Sequence, residues 1–179
     1  MTWILTTSED HIDENFYYLT GLSKEKHVSA TLLLNGNNKL ILTNRLEHGL
    51  FKEKKIIIEK RAQFENILRK YCHGTVGMNL SYLSVNSHTR FQKILKGSKI
   101  VDISKELAKK REIKSAHEIR KIKTACKITS DTFDQIEKIL KKARTEKELA
   151  LELNYAAMKN GAEAIAFPTI IASGVNAAL

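Results

Sequence analysis

The residues of this 179-residue chain that could do chemistry are few and scattered. Six histidines stand at positions 11, 27, 48, 73, 88 and 117 without the spacing that brings imidazoles together on a helix or hairpin. His117-Glu118 begins like the zinc-binding HExxH pattern, but Lys121 occupies the place of the second histidine, so the ligand pair is missing. Neighbours such as Glu47-His48 and Cys72-His73 point in different directions on any regular element. The only cysteines, Cys72 and Cys126, form no CxxC pair and imply neither a disulfide nor a zinc site. Cys126 falls on an apolar helical position and is expected to be a buried structural thiol. There is no GxGxxG, no GxxxxGK[ST] and no GxSxG, and Asn79-Leu80-Ser81 matters as a glycosylation pattern only in a secreted protein.

Composition narrows the classes. Hydrophobic residues at 42% and charged residues at 28% describe a globular chain, not a disordered one. No apolar stretch approaches the ~20 residues of a membrane span, and Met1-Thr2-Trp3-Ile4-Leu5 lacks the basic start of a signal peptide. A cytoplasmic protein with no membrane partner is expected. The net charge of +10 raises a nucleic-acid reading. Its densest basic stretch, Lys109 to Lys127, is preceded by Glu106, interleaves Glu112 and Glu118, and carries no Phe, Tyr or Trp to stack on bases. A solvated basic face is preferred, and nucleic acid is not expected as a partner.

The elements that must position any site alternate. Val28–Leu34 and Lys39–Thr43 read as strands, and Asn35-Gly36 between them predicts a hairpin with a type I′ turn. Arg45–Phe51 reads as a short helix and Lys55–Glu59 as a strand. Ala62–Tyr71 is a helix with Phe64, Ile67, Leu68 and Tyr71 on one face. Thr75–Asn79, Val85–Leu95 and Lys99–Ile103 read as strand, helix and strand. The alternation predicts an α/β domain, a mixed sheet with flanking helices. From Ser115 the pattern changes. Ser115 and Glu118 make a capping box, and Ile119, Ile122, Cys126, Thr129, Phe133, Ile136 and Leu140 lie on one face of a helix about seven turns long. Thr145 and Glu148 cap a further helix that ends at Asn160-Gly161, and the apolar run Ala164–Ala172 predicts a strand. A domain boundary is expected near Glu112–Lys114, with the second unit lacking the sheet that should cover it.

Three stretches resemble the Xaa-Pro peptidase family, the pita-bread metallopeptidases that include prolidase, aminopeptidase P and creatinase. Asn15-Phe16-Tyr17-Tyr18-Leu19-Thr20-Gly21-Leu22 is similar to the family's "n-x-x-Y-L-T-G-F" segment. Arg111 to Ile119 resembles "R-x-x-K-s-x-x-E-I", which begins the first long helix of the catalytic domain. Thr145-Glu146-Lys147-Glu148-Leu149-Ala150 followed by Phe167-Pro168-Thr169-Ile170-Ile171-Ala172-Ser173-Gly174-Val175-Asn176-Ala177-Ala178-Leu179 is the most specific of the three.

The resemblance implies a creatinase-like, ribonuclease H-like N-terminal domain over residues 1–112 and an incomplete pita-bread segment over 113–179. It implies homodimers and, for a full-length member, two divalent ions (manganese, cobalt or zinc) that activate a bridging water against the bond before proline. The family's metal ligands would lie beyond Leu179. No catalytic or metal residue is therefore expected here, and Phe167 alone corresponds to a residue of the family's pocket wall. Proline-containing peptides are expected as substrates only of the full-length protein. The other class considered is a non-catalytic binding module for an acidic partner or nucleic acid.

Overall fold

The computed structural model describes residues 1–178. They form two compact units, residues 1–113 and residues 114–178. In the first, apolar side chains occupy both faces of successive strands, so the sheet has to be covered on both sides. Six strands, β1 (Thr2–Thr7), β2 (Ala30–Asn35), β3 (Asn38–Thr43), β4 (Lys54–Ile57), β5 (Thr75–Met78) and β6 (Lys99–Asp102), lie in the order β4-β3-β2-β1-β5-β6. The sheet is mixed. β1 runs antiparallel to β2 (Leu5 opposite Leu32) and parallel to β5 (Thr2 opposite Val76). The β2–β3 pair is antiparallel, while β3–β4 and β5–β6 are parallel.

Alternation along each strand sorts the core into two layers. Ile4, Leu33, Leu40, Leu42, Val76 and Met78 face α2 (Arg61–Tyr71) and α3 (Val85–Ile94), which contribute Leu68, Phe91 and Ile94. Their neighbours Leu5, Leu32 and Ile41 face α1 (Glu14–Thr20) and α4 (Ser104–Glu112), packed on Phe16, Tyr17 and Leu107. This is the expected mixed sheet with flanking helices.

Three local expectations need correction. The β2–β3 ladder closes at Asn35 opposite Asn38, so the turn residues are Gly36 and Asn37. Only Gly36 has positive φ (57°), the II′ pattern with glycine first and not the expected I′. The register that pairs Leu33 with Leu40 moves the turn along by one residue. Arg45–Phe51 contains only a 3₁₀ turn, His48–Leu50. Side chains take up the backbone donors there: Asn44 Oδ1 accepts from Glu47 N, and the Glu47 carboxylate accepts from Ser29 N. Strand β1 and helices α1 and α4 add elements that the alternation did not mark.

At Gly77 the backbone approaches its neighbours too closely for a side chain. A Cβ there would stand 2.6 Å from Ile103 Cγ2 and 2.8 Å from Trp3 Cδ1. Gly77→Ala is predicted to cost about 2 kcal/mol by overpacking. A urea melt with an unchanged midpoint would contradict that contact.

The second unit contains α5 (Ala116–Phe133), α6 (Ile136–Leu140) and α7 (Glu146–Lys159), followed by a 3₁₀ turn at Gly174–Ala178. The Ser115 capping box forms in both directions: Ser115 Oγ accepts from Glu118 N, and Glu118 accepts from Ser115 N at 2.8 Å. The seven-turn helix is interrupted, because Asp134 N still bonds four residues back to Ser130 O whereas Gln135 N bonds three back to Thr132 O. The face turned toward α7 carries Ile128 and buried Thr132, whose Oγ1 accepts from Asn160 Nδ2. The predicted stripe lies elsewhere, with Ile119, Ile122, Phe133 and Leu140 all exposed. Cys126 is exposed with them, a correction to its expected burial. Cys72 is the buried cysteine, its thiol pushed up to about 11 by burial. Ala164–Ala172 is not a strand, since a strand needs a ladder partner and none of the described residues supplies one.

Candidate functional site

The motif stretches can be followed residue by residue, and most of them build structure. In the first, Asp13 caps α1 by accepting from Asn15 N, Tyr17 OH accepts from Val28 N, and Gly21 ends the helix with φ 68°. In the second, Arg111 reaches Glu14 Oε2 at 3.5 Å and Asn15 Oδ1 at 3.4 Å, and Tyr18 OH donates to Lys110 O at 2.9 Å. These contacts fasten the end of α4 to α1. Arg111 and Lys24 together hold the Glu14 carboxyl below its usual range, with the Lys24 hydrogen bond the larger cause.

The third stretch folds back onto α7. Thr145 Oγ1 accepts from Glu148 N, and the Glu148 carboxylate accepts from Arg144 N at 2.7 Å, so the box reaches one residue further back than usual. Thr169 Oγ1 donates to Asn154 Oδ1. Glu146 Oε1 accepts from Ser173 N (2.6 Å) and Ser173 Oγ (2.9 Å), and both its oxygens accept from Asn176 Nδ2 at 3.2 Å. The sequence grouped these residues as one motif without indicating that Glu146 gathers the tail. Phe167 is 69% exposed.

The bonds from Asn176 and then Ser173 lower the Glu146 pKa. A group whose folded pKa is depressed stabilises the folded arrangement above its unfolded pKa and loses that contribution as pH falls through the folded one. The tail's attachment is therefore predicted to be intact at neutral pH and to fail below the ordinary glutamate range. Ser173 amide exchange should quicken there, and Glu146→Gln should quicken it at neutral pH. Exchange indifferent to both changes would contradict the contact.

A second polar cluster went unnoticed in the sequence. It lies at the carboxyl ends of the parallel strands β1, β5 and β6. Asp13, 3% exposed, accepts from Asn15 N, Asn15 Nδ2 and Asn79 Nδ2, and Asn79 Oδ1 accepts from Ser104 Oγ at 2.9 Å. The signal available was an Asp-x-Asn cap after a strand and an asparagine ending another. The adjoining cavity, lined by His11, Asp13, Asn79 and Tyr82, is about 10 Å³, too small for a substrate.

Among the described residues, no three histidine, cysteine, aspartate or glutamate side chains are grouped to hold a metal ion. The donor set does not fit the two-ion centre that the resemblance implies. No helix is long and apolar enough to cross a membrane.

Residues 3–113 match the Creatinase/Prolidase N-terminal domain, and residues 120–179 match Metallopeptidase family M24. The chain belongs to the creatinase/prolidase family. It is 31% identical over 169 residues to the Xaa-Pro dipeptidase of Pyrococcus furiosus, covering 92% of this chain and 47% of that protein. The Xaa-Pro dipeptidase of Pyrococcus horikoshii is 28% identical with the same coverage. The chain thus spans about half the length of the curated relatives it matches. Among solved structures, the X-Pro aminopeptidase of Thermotoga maritima superposes with a TM-score of 0.85 at 23% identity, over 99% of this chain and 52% of that one. The Pyrococcus horikoshii prolidase gives 0.82 at 24% identity, over 99% and 50%. At these identities the structural likeness establishes the fold. A creatinase/prolidase N-terminal domain followed by residues of the peptidase domain accounts for all three motifs.

Proposed function

We propose that these residues belong to the Xaa-Pro dipeptidase and aminopeptidase line of the family. The parent activity is metal-dependent hydrolysis of the peptide bond before proline, with two manganese, cobalt or zinc ions, in the cytoplasm. On this reading residues 1–112 are the N-terminal domain and 113–179 the start of the catalytic domain. The 179-residue chain by itself is inactive and serves at most in dimerisation. What supports the reading is the family match that runs along the chain, the creatinase/prolidase N-terminal domain over residues 3–113 and the metallopeptidase family over 120–179. Phe167 is assigned to the substrate pocket wall, where its exposed ring would meet the proline side of a peptide. The test is incubation with Leu-Pro or Met-Pro dipeptide and manganese or cobalt. The expected result is no release of proline above a mock preparation, and metal-dependent cleavage would overturn the proposal.

A further inference from the structure

The net charge of the chain is unevenly placed. Residues 51–100 carry eleven lysines and arginines against three glutamates (Glu53, Glu59, Glu65), or +8 of the total +10. The folded chain gathers part of this excess into an open groove of about 410 Å³ between α2 and α3. Arg61, Glu65 and Arg69 line one side, four residues apart on α2, and Asn86, Arg90 and Lys93 line the other. Four cations face one carboxylate, leaving the groove at +3.

The cations are not equivalent. Arg69 uses all three nitrogens within the fold: its Nε donates to Ile94 O, Nη1 to Asn66 Oδ1 and Nη2 to Glu65 Oε2. It ties α2 to the end of α3 and fixes the groove's width. Arg61 gives its Nε to Glu65 at 2.8 Å, and its terminal nitrogens have no partner among the described residues. Arg90 lies over the ring of Phe64, 5.6 Å from the centroid, and forms no ion pair within 4 Å among the described residues, though its charge reaches Glu65. The ring attracts the cation on one side while Arg90 stays exposed to solvent, and a guanidinium open to solvent can grip an oxyanion with two parallel bonds. Lys93, one turn further along the same helix, is exposed and has no ion pair among the described residues. The Arg90 fork, the Lys93 point charge one turn along and the donors of Asn86 suit adjacent tetrahedral oxyanions.

We propose that the α2–α3 groove binds a ligand carrying consecutive phosphoryl groups, with Arg90 and Lys93 as the principal contacts and Arg61 at the far end. A run of carboxylates offers single planar groups on flexible side chains and fits less closely.

The probe is inorganic tripolyphosphate, titrated calorimetrically into the whole chain in low salt. The expected result is saturable one-site binding that weakens as salt is added. Arg90→Gln with Lys93→Gln should weaken it at least tenfold, with the far-ultraviolet spectrum and melting midpoint unchanged. Lys121→Gln with Lys123→Gln, the same charge removed from α5, should alter it less than twofold. Equal losses in the two double variants would reduce the attraction to net charge and overturn the proposal, as would no saturable binding. Oligoglutamate of matched charge binding as tightly as tripolyphosphate would overturn the phosphoryl class. An oligothymidylate, whose single phosphates are separated by sugars, should compete at least tenfold less well than tripolyphosphate, and equal competition would overturn the consecutive-phosphoryl class.

Discussion

Phe16→Ala is expected to lower the unfolding free energy of the first unit by about 4 kcal/mol, a large part of the roughly 5–15 kcal/mol that stabilises a domain. The ring is fully buried and meets two others edge to face, Tyr17 at 5.5 Å and Phe51 at 6.2 Å between centroids. Removing it leaves a cavity between α1 and the β1–β2–β3 face, where Leu5, Leu32 and Ile41 are already packed and cannot collapse inward. The lost aromatic pairs add about 1 kcal/mol beyond the buried area. Phe16→Leu, which refills most of the volume, should recover over half of the loss. Urea unfolding monitored through Trp3 measures both. A cost below about 1 kcal/mol for the alanine variant would mean that the cluster does not hold α1 on the sheet.

Asn79→Ala is expected to cost about 3 kcal/mol, for a different reason. Asn79 Nδ2 donates to Asp13 Oδ1 at 3.1 Å and to Oδ2 at 3.0 Å, while Asp13 is buried with only neutral amide donors around it. The alanine variant leaves a buried carboxylate short of donors, whereas the Ser104 hydroxyl, on losing Asn79 Oδ1, keeps Asp102 Oδ1 as an acceptor. Because the penalty falls on the orphaned partner, Asp13→Ala and Asn79→Ala should be strongly non-additive. The double variant should cost less than the sum of the singles by at least about 1 kcal/mol. Simple additivity in a double-mutant cycle would sink this account of the cluster.

Much of the first unit was legible because its strands are apolar on both faces and its helices carry a clear stripe, as in Phe64, Ile67 and Leu68. β1 was obscured by its position: Thr2 to Leu5 invites comparison with a leader, and only the register with Leu32 and Leu34 makes it a strand. Helix α4 was obscured by composition, since Lys109, Lys110 and Arg111 dominate a segment whose single buried anchor is Leu107. In the second unit the apolar spacing was read correctly as a helix, and the stripe it marked, expected to call for a covering sheet, is exposed. Two apolar faces run along α5, and only the one bearing Ile128 and Thr132 meets α7. The run Ala164–Ala172 has strand-like composition, but composition cannot supply a neighbouring strand to pair with. Of the candidate site, the motif identified the family through Phe167 to Ala178. The attachment of that tail to Glu146 is a contact across 27 residues that no local pattern encodes.

The most direct test of the central claim is a count of bound ions. The chain, purified without chelators, would be dialysed to equilibrium against manganese, cobalt and zinc in turn, and the ions per chain measured by mass spectrometry. The account predicts no stoichiometric ion with any of the three, since no set of donors converges among the described residues. Two ions per chain, retained at full occupancy, would contradict it.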